Sequence, residues 1–256
     1  MTGTLAPSAP YRIRCSSIWG GVEPVDLDVC TQGISASVYS TASGGERGGD
    51  IYYLSVCNIG KLTRIVIADV RGHGEQVGEI SSWLYQCLQD KMNSLDGAGV
   101  LADLNGIVHE RGFEAITTAA VVSYCSVDSM LYYSYAGHPP AIARRSRGHW
   151  LPLPVDAPPT GRANLPLGIL PRVHYDQCQV ELRSGDRVFL YTDGLPESPG
   201  TDPDDLFGDL RLLRALEETR DAGPMLVKKS MIDEITAFAG GALLHDDCTL
   251  MAFEVN

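Results

Sequence analysis

The sequence predicts an α+β fold in which layered β-sheets carry helices on their outer faces. Strand-like segments fall into two groups, a pair of helical segments lies between the groups, and two further helices precede a final strand. Separate runs of strands and of helices are typical of α+β proteins. The chain has 256 residues, of which 44% are hydrophobic, and is compatible with one large domain or two small ones.

The first strand group is predicted between residues 34 and 70. The segments "ISASVYS", "IYYLSVCNI" and "LTRIVIADV" are rich in β-type residues, and the gaps between them are rich in glycine. This pattern predicts consecutive strands in an antiparallel arrangement. A helix is predicted over residues 75–92, because apolar residues recur at positions 77, 80, 84 and 87. A second helix is predicted over residues 100–111.

The second strand group begins after these two helices. Its strands and the final strand are predicted at residues 115–127, 130–137, 140–146, 173–182, 186–194 and 248–255. Asp128 and Ser129 predict a hairpin turn between the first two. Helices are predicted over residues 205–220 and 224–240. Residues 1–33 are weakly patterned and are interpreted as an N-terminal extension or lead-in strand, and no linker divides residues 34–256.

Charge and composition exclude several classes of protein. The formal net charge of −12 argues against nucleic acid or an anionic membrane as the main partner. No apolar run approaches the ~18–20 residues that span a bilayer, and the N-terminus lacks the features of a secretory signal. The 7 cysteines include no CxxC pair, which fits reduced thiols rather than disulfides or a zinc site. We therefore expect a cytoplasmic protein.

Aspartates stand at the ends of several predicted strands. In "IADVRGHGEQ" a strand stops at Asp69, and in "GGDIYYLSV" Asp50 follows two glycines and opens a strand. Asp193 ends the strand in "RVFLYTDG", and Asp246 and Asp247 precede the last strand. Taken singly, each could be a turn former or part of a solvated loop. Taken together, they predict a shared site, because strand ends on a common sheet edge can bring distant residues together.

Grouped carboxylates require a counter-charge, since like charges raise one another's pKa values and resist joint ionisation. Oxygen ligands without a constellation of His or Cys favour Mg²⁺ or Mn²⁺ over zinc. Two such ions can activate a water molecule and also hold a phosphoryl oxygen. The aspartates therefore indicate a metal site suited to the hydrolysis of phosphate esters.

Eight short motifs occur in an order that is typical of one family. They are "GGDIYYLSV", "IADVRGHGEQ", "TTAAVVSY", "YAGHPPAIARR", "LPLGIL", "GDRVFLYTDGLPES", "LFGDLRLL" and "HDDCTLMAFEV". In this order they resemble the metal-dependent serine/threonine protein phosphatases of type 2C (PPM), in particular the bacterial stage II sporulation E (SpoIIE)-like branch. The resemblance covers residues 34–256. It implies a four-layer α/β/β/α sandwich of two antiparallel sheets flanked by helices, with two Mn²⁺ or Mg²⁺ ions at one edge.

The resemblance also implies roles for individual residues. Asp69 matches the ligand that bridges the two ions, and the Val70 carbonyl matches the neighbouring backbone ligand. Asp193 and Asp246 match the carboxylate ligands of the second ion. Asp50 matches an acid that reaches an ion directly or through water.

Other positions either extend the implied site or depart from the family pattern. Asp247 is implied as a further metal ligand or as a residue that orients its loop. Arg71 and His73 are candidates for substrate binding, although an exposed loop arginine and a turn histidine are the plainer interpretations. Tyr53 occupies a position where the family often has an acid, which argues against a third ion there. His138 is interpreted as a structural hydrogen-bonding residue beside the site.

The resemblance implies a serine/threonine-specific phosphoprotein phosphatase that acts in signal transduction. In this branch the usual substrates are phosphorylated anti-sigma-factor antagonists, so a phosphorylated protein is the implied partner. Two alternatives remain open from the sequence. One is a pseudo-phosphatase that keeps the fold and binds a partner, and the other is a hydrolase of small phosphate esters.

Overall fold

Two stacked β-sheets lie between two pairs of α-helices, as seen in a computed structural model. The structure describes residues 9–43, 46–57, 60–72, 74–91, 94–153, 165–202, 204–241 and 245–256. Its strands are β1 (Tyr11–Arg12), β2 (Ser17–Gly21), β3 (Val25–Cys30), β4 (Ile34–Thr41), β5 (Asp50–Val56), β6 (Leu62–Val70), β7 (Thr117–Cys125), β8 (Met130–Ala136), β9 (Ile142–Arg144), β10 (Trp150–Pro152), β11 (Cys178–Glu181), β12 (Arg187–Tyr191) and β13 (Cys248–Val255). Its helices are α1 (Glu75–Gln89), α2 (Gly97–Arg111), α3 (Gly208–Glu218) and α4 (Pro224–Phe238), with a short 3₁₀ turn at Phe113–Ala115.

Each sheet draws its strands from distant parts of the chain. The seven-stranded sheet has the order β1-β3-β4-β13-β12-β9-β10, and the six-stranded sheet has the order β11-β8-β7-β6-β5-β2. Strand β1 runs parallel to β3, and the other strand pairs in the described ranges are antiparallel. Helices α1 and α2 contact the six-stranded sheet, whereas α3 and α4 contact the seven-stranded sheet.

Three apolar layers separate the four layers of secondary structure. The layer between the sheets includes Val38, Leu54, Ile67, Val122 and Phe253. The layer beneath α1 and α2 includes Val66, Val121, Leu84, Leu104 and Val108. The layer beneath α3 and α4 includes Phe189, Leu250, Leu212, Met231 and Ile235. This arrangement confirms the predicted α/β/β/α sandwich.

Strand β6 illustrates why the central strands are largely apolar. Its side chains alternate between the two faces, so that Ile65 and Ile67 enter the layer between the sheets while Val66 and Ala68 enter the layer beneath the helices. Because both faces are covered, six of its nine positions are apolar. Its last residue but one, Asp69, is nevertheless partly exposed, and its last residue, Val70, is buried.

The predicted antiparallel arrangement of three consecutive strands is wrong for the first of them. Strands β5 and β6 do pair, but β4 lies in the other sheet between β3 and β13. The glycine-rich segment between β4 and β5 therefore connects the two sheets rather than forming a hairpin. A local pattern could not reveal this, because β4 finds one of its two neighbours at the far end of the chain.

Residues before position 34 also contribute to both sheets. Strands β1 and β3 join the seven-stranded sheet, and β2 pairs with β5 in the six-stranded sheet. The predicted lead-in segment thus supplies three short strands, while the domain boundary between residues 33 and 34 stays a prediction. Strand β10 was also not predicted, since its three residues carry too short a pattern.

The helices agree with prediction in number and order, but their ends differ. Helix α1 stops at Gln89 rather than at residue 92. Helix α2 begins at Gly97 rather than at residue 100, because the Asp96 side chain accepts a hydrogen bond from the Gly99 backbone N–H at 2.8 Å and caps the helix. Within the described ranges, no helix combines the length and the apolar character needed to cross a bilayer.

Candidate metal centre

Asp50 and Asp69 lie directly opposite each other on neighbouring strands. Asp50 is the first residue of β5, Asp69 is the last but one of β6, and the register pairs the two. Directly opposed residues of an antiparallel pair project from the same face of the sheet. The alternation along β5 and β6 directs both side chains toward the seven-stranded sheet. Two carboxylates that are 19 positions apart in the chain thus share one edge of the sandwich.

Thr192 joins the two sheets at this edge. It directly follows β12, and its hydroxyl group donates a hydrogen bond to Asp50 Oδ2 at 2.8 Å. The hydroxyl oxygen of Thr192 in turn accepts a hydrogen bond from the backbone N–H of Thr249 on β13 at 3.0 Å. This contact brings the ends of β12 and β13, and therefore Asp193 and Asp246, to the ends of β5 and β6. The sequence reasoning missed Thr192, although its place beside Asp193 in "YTDG" could have indicated it.

Three glycines allow the chain segments to approach one another closely. A Cβ atom on Gly49 would lie 2.6 Å from the Val70 carbonyl oxygen, and one on Gly194 would lie 1.9 Å from the Asp247 carbonyl oxygen. A Cβ atom on Gly48 would lie 2.7 Å from the Asp247 carboxylate carbon. The glycines beside Asp50 and Asp193 are therefore required by packing around the site, and not only by turn formation.

Asp247 holds the segment that leads into Asp50. Asp247 is 4% exposed, and its carboxylate accepts hydrogen bonds from the backbone N–H groups of Ser43 and Gly49. The neighbouring Asp246 is partly exposed, and its Oδ1 accepts the backbone N–H of Asp247 at 2.8 Å. Asp247 thus orients a loop in this structure, whereas its assignment as a metal ligand stays a prediction.

A cleft of about 310 Å³ opens at this edge of the sandwich. It is lined by Asp69, Arg71, Gly72, Ile116, Thr118, Asp193 and Asp246. Four of the predicted site residues therefore share one cleft, with Asp50 and Asp247 buried beside it. Thr118, which the sequence reasoning also missed, lies opposite Asp69 on β7.

The remaining positions singled out from the sequence lie elsewhere or outside the described residues. His73 is outside the described residues. Val70 is buried, and its backbone N–H donates to Gly49 O at 3.2 Å. Tyr53 is buried beneath the helices against Tyr85, on the opposite face of the sheet from Asp50. His138 is buried with Nδ1 3.0 Å from Pro139 O, and burial lowers its pKa to about 4.

Burial and mutual repulsion raise the pKa values of the clustered aspartates. Burial raises the pKa of Asp50 to about 8, with Asp247 and Asp193 adding to the effect and the hydroxyl groups of Thr249 and Thr192 opposing it. Burial, followed by the charges of the neighbouring aspartates, raises the pKa of Asp69 well above its ordinary value. The pKa of Asp193 is raised by burial and then by Asp246. The cluster therefore resists full ionisation at neutral pH unless a cation compensates it.

The donor chemistry of the cluster fits a hard divalent cation. As the side chains stand, no group of three or more His, Cys, Asp or Glu residues in the described ranges is arranged to hold an ion. The donors at the cleft are nevertheless all oxygen atoms, the type that Mg²⁺ and Mn²⁺ prefer. In the same ranges, no ion pair with Lys, Arg or His is formed by any of the five predicted site aspartates, Asp50, Asp69, Asp193, Asp246 and Asp247. Modest side-chain rotations change the distances between these oxygen atoms but not their donor chemistry, so the cluster fits such an ion.

Comparisons with known proteins agree with the geometry. The family model described as "Stage II sporulation protein E (SpoIIE)" matches residues 60–256. No curated protein sequence matches the chain significantly.

Among solved structures, the RsbU and RsbW domains of Rv1364c from Mycobacterium tuberculosis superpose with a TM-score of 0.74 at 20% identity, over 92% of this chain and 61% of that chain. The PP2C phosphatase domain of SpoIIE from Bacillus subtilis gives a TM-score of 0.72 at 18% identity, over 93% and 71% of the two chains. RsbX in complex with magnesium gives 0.65 at 17% identity, over 91% and 100%. At these identities the superpositions establish the fold.

Proposed function

Because the chain belongs to the SpoIIE family, we propose that it is a metal-dependent phosphatase that removes phosphate from phosphoserine or phosphothreonine on a signalling protein. The observation that carries the proposal is the opposed pair of Asp50 and Asp69 at the cleft edge, joined there by Asp193 and Asp246. Four like-charged carboxylates gathered in one place are costly for a fold to keep without a function.

Two Mn²⁺ or Mg²⁺ ions are the proposed cofactors, with RsbX, a fold neighbour, solved in complex with magnesium. When bound, they would activate the attacking water and neutralise the phosphoryl oxygens. Asp69 is proposed as the bridging ligand beside the Val70 carbonyl, Asp193 and Asp246 as ligands of the second ion, and Asp50 as a direct or water-mediated ligand. Asp247 completes the proposed set, either as a ligand or through its hold on the loop before Asp50.

The protein's own residues supply the positioning that this chemistry needs. Thr192 donates a hydrogen bond to one oxygen of Asp50 and so holds this carboxylate at the edge of the cleft. Asp69, Asp193 and Asp246 line an open cleft that can admit a phosphorylated side chain from a larger protein. Arg71, on the same wall, is the proposed group that binds the phosphoryl oxygens, and His73 stays a second candidate.

The proposed substrate is a phosphorylated anti-sigma-factor antagonist, and the proposed setting is the cytoplasm. Two fold neighbours support a signalling role. One carries RsbU and RsbW domains in a single chain, and another belongs to the bacterial stressosome. We propose residues 34–256 as the phosphatase domain, with strands β1 to β3 packed into its sheets.

Turnover of p-nitrophenyl phosphate by the purified chain tests the proposal. We expect hydrolysis in Mn²⁺ or Mg²⁺ and its loss in excess EDTA, restored by added metal. A chain that hydrolyses nothing with either metal would instead be a pseudo-phosphatase, an alternative that no observation on the described residues favours. Equal activity with and without metal would overturn the proposed mechanism. Comparison with a phosphoserine protein then separates a protein phosphatase from a hydrolase of small esters.

A further inference from the structure

The Arg71 side chain is a cation on the wall of an acidic cleft. Arg71 follows the last residue of β6 and lines the cleft with Asp69, Asp193 and Asp246. Its backbone N–H donates to Ile116 O at 2.9 Å, which fixes the turn that carries it. Within the described ranges, its guanidinium group makes neither a hydrogen bond nor an ion pair, so its five N–H donors are available to a ligand.

Phe113 lies against this guanidinium group. The ζ carbon of Arg71 is 4.4 Å from the centre of the Phe113 ring, within the range of a cation–π contact. Phe113 is 68% exposed, so its ring lies at the surface beside the guanidinium group. Its position is set by the backbone, because Gly112 (φ 116°) ends helix α2 and the 3₁₀ turn begins at Phe113. An exposed aromatic ring is thus held beside the cleft by rigid elements.

Among the described residues, Arg71 forms no ion pair with the carboxylates that line the same cleft. Its described lining residues comprise three carboxylates, one cation and otherwise uncharged groups. If divalent ions neutralise the carboxylates, the guanidinium remains as the group that can recognise an anion by directed hydrogen bonds. A planar guanidinium that rests on an aromatic face keeps its N–H edges free, and these edges match two phosphoryl oxygens.

We propose that Phe113 is a positioning residue that holds the Arg71 guanidinium for the phosphoryl group of the substrate. The inference rests on the proposed phosphatase function and deepens it. Arg71 touches the substrate, whereas Phe113 acts through Arg71 by restricting the orientations of its long side chain. Without the ring, Arg71 keeps its positive charge, but its guanidinium group can move out of the cleft.

A double-mutant cycle tests this division of roles, with inorganic phosphate as the probe. Calorimetric titration of the Mn²⁺-loaded protein measures phosphate binding directly, without turnover. We expect Arg71→Ala to weaken binding about tenfold, the usual effect of losing a charged hydrogen bond. Phe113→Ala should weaken it several-fold, and Phe113→Tyr should restore it. The double variant should bind no more weakly than Arg71→Ala, because Phe113 has no role once Arg71 is absent.

Arg111→Ala provides a matched control. Arg111 also stacks on an aromatic ring, that of Trp83 at 5.2 Å, but it does not line the cleft. This variant loses the same charge and the same type of contact, and its phosphate affinity should equal that of wild type. Equal weakening by Arg111→Ala, or additive effects of Arg71→Ala and Phe113→Ala, would overturn the proposal.

The two proposals fail in different ways. If wild type turns over no phosphate ester in Mn²⁺ or Mg²⁺, the phosphatase function is overturned. If phosphate binding is undetectable in wild type, or equally tight in wild type and Arg71→Ala, the roles of Arg71 and Phe113 are overturned whatever the turnover. Weaker binding in Arg71→Ala and Phe113→Ala, with the non-additive double variant, supports the inference.

Discussion

The Thr192 hydroxyl group donates to Asp50 Oδ2 at 2.8 Å and accepts the backbone N–H of Thr249 at 3.0 Å, so one buried oxygen links the two sheets at the cleft. Asp50 belongs to the six-stranded sheet, whereas Thr249 belongs to the seven-stranded sheet. The relative position of the carboxylates from the two sheets therefore depends on this group.

Replacement of Thr192 tests that dependence. Thr192→Val keeps the shape but removes the donor to Asp50 and the acceptor for Thr249, leaving buried polar groups unpaired. We expect a loss of about 1–3 kcal/mol in the free energy of unfolding and weaker Mn²⁺ binding. Thr192→Ser keeps the hydroxyl group and should stay close to wild type. Urea denaturation and Mn²⁺ titration measure both effects, and unchanged metal affinity in Thr192→Val would contradict the assigned role.

A methyl group at Gly194 should disturb the site by collision. The new Cβ atom would lie 1.9 Å from the Asp247 carbonyl oxygen, and the clash involves backbone that cannot rotate away. We expect Gly194→Ala to destabilise the protein by ~1–3 kcal/mol or more. Gly106 is the control, because it lies in helix α2 with nothing within 4 Å of an added Cβ. Gly106→Ala should be neutral or stabilise by up to ~1 kcal/mol in the same urea titration.

The sequence predicted the layers and the members of the site better than the way they come together. Buried strands such as β6 carry a strong local signal, and the aspartates stand out at their ends. The pairing of β4 with β13, by contrast, joins residues such as Ser40 and Thr249 that are 209 positions apart, and no local pattern encodes it. Thr192 and Phe113 escaped notice for a similar reason, because a threonine or phenylalanine acquires its role only from the group that it meets in the fold.

Removal of one carboxylate from the cleft should lower the rate and leave the fold intact. We expect Asp69→Asn, Asp193→Asn and Asp246→Asn each to lower kcat for p-nitrophenyl phosphate by ~10²-fold or more at saturating Mn²⁺, because each weakens charge stabilisation in the transition state. Asp90→Asn changes an exposed residue at the end of α1 and should leave kcat unchanged. A cleft variant within a few-fold of wild type would remove that residue from the proposed site.

The metal-free protein should lose stability as the pH rises from 6.5 to 8. Burial raises the pKa of Asp50 to about 8, so the folded state keeps a proton that the unfolded state releases near pH 4. Stability therefore falls with rising pH, by at most ~1.4 kcal/mol per pH unit for each such group. His138, with a pKa lowered to about 4, has the opposite effect, but only below its ordinary value of 6.5.

Urea denaturation in EDTA across this pH range measures the slope. Asp50→Asn is the comparison, since it removes the titrating group and should flatten the curve between pH 6.5 and 8. Saturating Mn²⁺ should remove or reverse the decline in wild type, because the bound cations favour the ionised carboxylates. A metal-free wild type that is equally stable at pH 6.5 and pH 8 would show that the Asp50 carboxylate is not strongly perturbed.

Metal binding should raise the melting temperature of wild type much more than that of Asp69→Asn. A ligand that binds only the native state stabilises by ~2.7 kcal/mol at a hundredfold excess over Kd, so wild type should melt several degrees higher in millimolar Mn²⁺ than in EDTA. Without metal, the charges of Asp50, Asp193 and Asp246 oppose ionisation of Asp69. Asp69→Asn removes the carboxylate that these neighbours repel, together with the proposed bridging ligand. Its metal-free melting temperature should therefore equal or exceed that of wild type, while its gain from Mn²⁺ should shrink sharply. Thermal melts of both proteins, with and without metal, decide the matter. If wild type gains nothing from Mn²⁺, or the variant gains as much, these aspartates serve only to form turns.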